Sequence, residues 1–170
     1  KAAPLQIPWG REDAVYGLID LVRMKSLKFD SATPADDPIV GEIPDDLKEK
    51  AKHYRHELLE AVSEFDDKLM NQYINNQEPT EQELVQGIRN ATIKHSVVPV
   101  MTGASFRNIG VQPLLDAVCA YLPSPLDIAV PQAHNPFTDE EMTLTADEHG
   151  PLGALAFKIM SDPFVGKLTF

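Results

Sequence analysis

The hydrophobic positions of the chain change period several times, and each change marks an element. Pro4–Gly10 is a short apolar segment closed by glycine and predicts a strand. Val15–Phe29 mixes apolar and basic positions with β-branched and aromatic residues, and predicts one or two more strands. Residues 31–44 are rich in proline and aspartate and predict a loop. Leu47, Ala51, Tyr54, Leu58, Val62, Phe65 and Leu69 then recur at alternating four- and three-residue steps, which lays one apolar stripe along a long helix. Asp45 or Asp46 can cap its start. The pattern leaves room for a break at Asp66–Asp67, with a second helix running to Ile74 and a stop at Asn75–Asn76. Thr80 followed by Glu83 is a capping box. The helix it opens carries Leu84, Ile88, Ala91 and Ile93 and ends near His95.

The stretch from Val97 to Leu122 joins both periods. Val97, Val98, Pro99, Val100 and Met101 suit a fully buried strand, whereas Val111, Leu114, Leu115, Val118, Cys119 and Leu122 have helical spacing. A loop bearing Gly103 connects them. This is one strand–loop–helix unit of an α/β layer, and such layers place ligands at the C-terminal ends of their strands. Pro123 and Pro125 end the helix. Residues 126–150 contain no Lys or Arg, are acidic, and predict a linker. Leu152–Ile159 reads as a strand, Asp162–Pro163 as a turn and Gly166–Phe170 as the start of another strand. The last twenty residues thus resemble the opening of an all-β unit, and the chain has no internal repeat.

Composition narrows the function classes. At 170 residues and 43% apolar the chain can bury a real core. Its formal charge of −11 argues against a nucleic-acid grip, which needs clustered Lys and Arg, and suits a basic protein partner. A single cysteine excludes an intrachain disulfide and fits a reducing compartment. No apolar run approaches the ~20 residues of a membrane span. A start at Lys1 and a stop at Phe170 inside a predicted strand lead us to expect an excised segment of a longer protein.

Tests for catalytic chemistry mostly fail. A phosphate-cradling loop around Gly166–Lys167 would need glycine at position 161 and Ser or Thr at 168, where Ser161 and Leu168 stand. Asp147 and Gly150 match Asp-x-x-Gly, but no strand precedes them. His53, His56, Glu57 and Glu60 share a turn and a half of helix and could offer nitrogen and oxygen to zinc. Their spacing fits no closed site, so a solvated polar face is the simpler reading. Cys119 lies on the apolar side of its helix and reads as a buried, inert thiol. No Gly-x-Ser-x-Gly elbow is present. With Leu47 at 0° and ~100° per residue, Glu60, Glu64 and Asp67 fall at roughly 220°, 260° and 200°, opposite the core stripe. This acidic strip is either plain soluble surface or a docking site for a basic helix.

These residues resemble a known family. Gly103–Gln112, Leu114–Val118 and Tyr121–Pro125 look like the close of the GTPase domain of the elongation factor G family. Ala156–Ile159 and Asp162–Phe170 look like the opening of that family's second domain, a β-barrel. Leu5–Gly10 and Gly17–Lys25 resemble the insert subdomain, G′, that the family carries within its GTPase domain. The match runs through nearly the whole chain in the family's order. It implies an α+β chain with residues 1–95 as the G′ insert, 96–125 as the last strand and helix of a P-loop GTPase α/β domain, 126–150 as a linker, and 151–170 as the first strands of domain II.

The resemblance further implies a translational GTPase that hydrolyses GTP to move tRNA and mRNA through the ribosome, in the bacterial cytoplasm or an organellar matrix. Its last guanine-binding loop would be Gly103, Ala104, Ser105 and Phe106, reading the base with main-chain amides. The family usually has Gly-Ser-Ala here, so Ala104 and Ser105 are exchanged. The phosphate loop, both switch segments and the Asn-Lys-x-Asp base reader are absent from this sequence. The segment alone is therefore expected to be non-catalytic and to need neither GTP, GDP nor Mg²⁺, which belong to the longer enzyme. In this family the G′ helix meets the C-terminal domain of the large-subunit stalk protein, and its acidic positions match Glu60, Glu64 and Asp67. The alternatives are a paralogue acting in ribosome recycling or ribosome protection, and, from another class, a non-enzymatic interaction module.

Overall fold

A computed structural model of the protein describes residues 1–12, 14–30, 37–129, 132–135, 137–147, 149–150 and 153–170. It is a mixed α and β chain, with four helices and several sheets among the described residues. The chain divides into two compact units, Lys1–Leu122 and Pro123–Phe170. No helix among the described residues is long and apolar enough to cross a membrane.

In the first unit, the segment Pro4–Gly10 belongs to two sheets rather than one strand. β1 (Ala2–Pro4) runs parallel to β6 (Val98–Val100), with Ala3 opposite Pro99. β2 (Gln6–Arg11) instead opens an antiparallel sheet with β3 (Ala14–Asp20), β4 (Lys25–Lys28) and β5 (Ile39–Gly41), in the order β2-β3-β4-β5. Leu5 is the joint between them: its amide donates to Val100 O and its carbonyl accepts from Leu21 N, both at 2.9 Å. β5 lies in the stretch expected to be loop. Two adjacent β-branched residues, Ile39 and Val40, suffice for a short edge strand against β4. Of the rest of that expected loop, residues 37–38 and 42–44 form no regular element, and 31–36 lie outside the described residues.

The long apolar stripe folds into two helices. α1 (Asp45–Ser63) ends where Glu64 caps it, and α2 (Asp67–Ile74) begins after Asp66, whose carboxylate accepts from the amides of Lys68 and Leu69, both at 3.0 Å. A side chain that satisfies the open amides of a new helix favours the break at that point. At the start of α1 neither Asp45 nor Asp46 is the cap. Pro44 holds that position without a side-chain bond, and the two carboxylates lie in the first turn, where the helix dipole favours them. α3 (Glu81–Ile93) opens on the predicted capping box, with Glu83 N donating to Thr80 Oγ1 and Thr80 N donating to Glu83 Oε2.

One face of the antiparallel sheet, bearing Leu5, Ile7, Ile19 and Leu21, packs with Ala51, Leu58 and Val62 of α1 and with Leu84, Ile88 and Ala91 of α3. The stripe residues Leu47 and Tyr54 flank this core, while Phe65, at the break, is exposed. Gly87 lets α3 approach closely: a Cβ there would sit 2.3 Å from Leu69 Cδ1. Buried Arg55 ties α1 to the turn after β3, donating from Nη1 to Leu21 O (2.8 Å) and Val22 O (3.1 Å) and from Nη2 to Glu78 (3.2 Å). α4 (Val111–Tyr121) packs on α3, and Arg89 donates to Ala120 O and Leu122 O at its end.

Among its described residues the second unit has two antiparallel strand pairs. β7 (Gln132–His134) pairs with β8 (Glu141–Thr143) inside the stretch expected to be a plain linker. β9 (Ile159–Asp162) pairs with β10 (Gly166–Thr169) around an aspartate turn, in which Asp162 Oδ1 accepts from Phe164 N and Val165 N. The strand expected over 152–159 begins only at Ile159; residues 153–158 form no regular element, and 151–152 lie outside the described residues.

Candidate functional site

The loop after β6 folds back on itself. Ala104 and Ile109 form an isolated antiparallel bridge, Ala104 N donating to Ile109 O at 2.9 Å and Ile109 N to Ala104 O at 3.2 Å. Between them Ser105–Arg107 make one turn of 3₁₀ helix, closed by Asn108 in the left-handed region. Two glycines permit this closure. A Cβ on Gly103 would meet Ile109 O at 2.8 Å. Gly110, at φ 83°, is the left-handed residue before α4, and a Cβ there would meet Thr102 O at 2.9 Å.

The four residues expected to contact a base are therefore not equivalent. The Ala104 amide is spent on the bridge. The amides of Ser105 and Phe106 head the 3₁₀ turn and have no hydrogen-bond partner among the described residues. Phe106 is fully exposed and Gly103 is exposed, so backbone and ring are both open to a planar ligand. The exchange of Ala104 and Ser105 leaves this donor pair intact, because main-chain amides do not depend on side-chain identity.

The strand and helix that carry the loop are less enclosed than their sequence implies. Val98 and Val100 of β6 are exposed, since β6 pairs on one side only, with β1. Leu114, Leu115, Val118 and Leu122 of α4 are exposed as well. Cys119, expected to be buried, is exposed with them. At ~100° per residue the α4 residues among these share one side of the helix.

The acidic strip lies at the junction of α1 and α2, not along one helix. Glu60 is in the last turn of α1, Glu64 is its C-cap and Asp67 opens α2; all three are exposed. Glu64 pairs with Lys1 Nζ at 2.6 Å. Asp67 suits its helix N-terminus, but Glu60 and Glu64 oppose the dipole at the end of α1, whose last turn carries no basic residue, and only Glu64 is offset, by Lys1. Of the residues weighed for zinc, His53 faces Glu57 at 3.3 Å and His56 Nε2 bonds Tyr73 Oη at 3.0 Å. No group of three or more His, Cys, Asp or Glu that could hold a metal occurs among the described residues. Asp147 forms a local turn with His149 N and Gly150 N; Glu148 lies outside the described residues.

The class is thus an α+β chain in which a sheet and three helices separate two parallel strands, the second leading through a tight glycine loop into a helix. No family model matches the chain. In solved structures it is similar to the crystal structure of ttk003000868 from Thermus thermophilus, at 26% identity and a TM-score of 0.70, over 99% of this chain and 22% of that one. The chain spans about a fifth of the length of the solved structure it matches.

Proposed function

We propose that the chain is a segment of a translational GTPase of the elongation factor G kind, which hydrolyses GTP to move tRNA and mRNA on the ribosome. In this reading the sheet β2–β5 with α1–α3 is the G′ insert. β1, β6 and α4 belong to the GTPase domain, and β9 and β10 open the β-barrel of domain II. The observation that carries the proposal is the parallel pairing of β1 with β6 around an inserted subdomain. A two-stranded parallel sheet is not self-sufficient, because parallel sheets are covered on both faces. The exposed valines of β6 and the exposed apolar side of α4 are what a larger α/β sheet would cover.

The segment's own residues fit one part of a guanine nucleotide. The amides of Ser105 and Phe106 would donate to the base carbonyl, and the Phe106 ring would lie against the base. No sequence motif for phosphate or Mg²⁺ is completed within these residues, so GTP, GDP and Mg²⁺ would be held by the longer protein. The acidic junction of α1 and α2 would meet the C-terminal domain of the ribosomal stalk protein.

Two measurements test the reading. Calorimetry of residues 1–170 with GDP is expected to give no heat of binding, and micromolar affinity would refute the division of labour. In the full-length protein, Ser105→Pro deletes one donor at a position where proline suits the first turn of a helix. A base carbonyl left unpaired costs about 1–3 kcal/mol, so GDP affinity should fall roughly tenfold. An unchanged affinity would remove the loop from the base site.

A further inference from the structure

The second face of the antiparallel sheet borders an open cavity of about 610 Å³, lined also by residues of α3 and α4, by Asp37, Pro38 and Val40, and by Met101. Gln6 and Asp20 are directly opposed on β2 and β3 and so project from the same face. Gln6 is a polar residue only 5% exposed, set between two core residues, and its Oε1 has no hydrogen-bond partner. Asp20 Oδ1 accepts from the amides of Val22 and Arg23, while Oδ2 has no hydrogen bond among the described residues. Burial, more than any neighbouring charge, raises the Asp20 carboxyl above the usual range. Burial and the Asp20 charge push the Tyr121 phenol, also on this cavity, up to about 12.

Among the described residues, negative charge predominates in the lining. Asp20, Asp37, Glu81 and Asp116 face a single cation, Arg23, whose Nε is already taken by Glu81 at 2.8 Å. Leu27, Val85 and Met101 give the wall an apolar part, beside the amides of Gln82 and Gln112. The cavity is far larger than a metal ion needs, and its mixture of aliphatic wall and convergent acceptors is that of a small-molecule site.

The geometry points to a binding site for a short aliphatic amine, its ammonium group donating to Asp20 Oδ2 beside the buried Gln6 and its methylene chain lying along the apolar part of the wall. This site is separate from the loop at 103–106. At ~100° per residue, the cavity side of α4 (Gln112, Asp116, Ala120) lies opposite its exposed apolar side (Leu115, Val118, Leu122). Covering the apolar side with further sheet therefore leaves the amine site open, and the inference stands or falls independently of the GTPase reading.

The test is titration of residues 1–170 with 1,4-diaminobutane at fixed salt, followed by amide chemical shifts and calorimetry, with 1,4-butanediol as the neutral counterpart. Saturable shifts are expected at residues 5–7, 20–23 and 112–121 with the diamine alone. Asp20→Asn keeps the turn, since asparagine retains the Oδ1 acceptor, yet should weaken binding about tenfold, as should Asp116→Asn on the rim. Glu140→Gln, in the second unit, makes the same charge change and should leave affinity unaltered. Equal binding of the diol, shifts centred on the α1–α2 junction, or an affinity indifferent to both aspartate variants would overturn the proposal.

Discussion

Arg55 illustrates how a single residue holds two elements together. It lies on α1 among apolar neighbours, and its guanidinium satisfies the carbonyls of Leu21 and Val22 where the chain leaves β3. Arg55→Ala strands both carbonyls and removes the packed stem, at a cost of about 3 kcal/mol. Glu78, its mostly exposed acidic partner, contributes little, and Glu78→Gln should cost less than about 1 kcal/mol. Urea unfolding followed by helical circular dichroism reports this directly, because all four helices lie in the first unit. In the sequence only its angle, about 80° from Leu47 and beside Val62, separates Arg55 from its charged neighbours. Gln6 was equally hidden, although a glutamine between Leu5 and Ile7 is the kind of interruption that marks a second, less apolar sheet face.

At the scale of the element, α3 was legible and α1 only in part. The Thr80–Glu83 box is a local device whose geometry depends on four consecutive residues, so the sequence alone predicts it. Thr80→Ala should cost about 1 kcal/mol. The ion pair with Lys68, then the bonds from Thr80 and Gln72, hold the Glu83 carboxyl down at about 2, below its usual 4.5. A carboxylate with a depressed folded-state pKa contributes stability that is complete above its unfolded value and is lost as pH falls through the folded one. The native chain should therefore lose more stability between about pH 4.5 and 2 than Glu83→Gln, which has no charge to lose. Parallel slopes of urea midpoint against pH would exclude this role. The break between α1 and α2 was legible as a possibility, since the apolar stripe continues through it. What decides it is the bond from the Asp66 carboxylate to the amides of Lys68 and Leu69.

Across the whole molecule, most acidic groups that the helices use stand at N-termini, whereas Glu60 and Glu64 stand at a C-terminus. That position disfavours a carboxylate by a few tenths of a kcal/mol; Lys1 offsets this for Glu64 but not for Glu60, and a carboxylate kept at such a cost suits a basic partner. Charge of this kind mainly raises the association rate and is screened by salt. Reversing Glu60, Glu64 and Asp67 to lysine in the full-length protein should slow stalk-stimulated GTP turnover several-fold at low salt and much less at high salt. Turnover unchanged at both would leave the strip as ordinary surface. The Lys1–Glu64 pair makes Glu64 the weakest of the three contributors.

The strand–loop–helix around Val97–Leu122 marks where sequence stops and tertiary structure begins. Period, turn residues and caps are local, so the amino-acid sequence by itself pointed to a strand over 97–101, a glycine loop and a helix from Val111 to Leu122, which the fold trims to 98–100 and 111–121. Partners in space are not local. Only the folded chain decided that β6 joins β1 across the intervening sheet and helices, since parallel pairing is set by long-range closure. Likewise, only the fold spent the Ala104 amide on Ile109 and left those of Ser105 and Phe106 open. Burial is non-local too. The apolar face of α4 and Cys119 read as core because their spacing is that of a packed helix, yet a hydrophobic stripe specifies only that a face seeks cover, not which element supplies it.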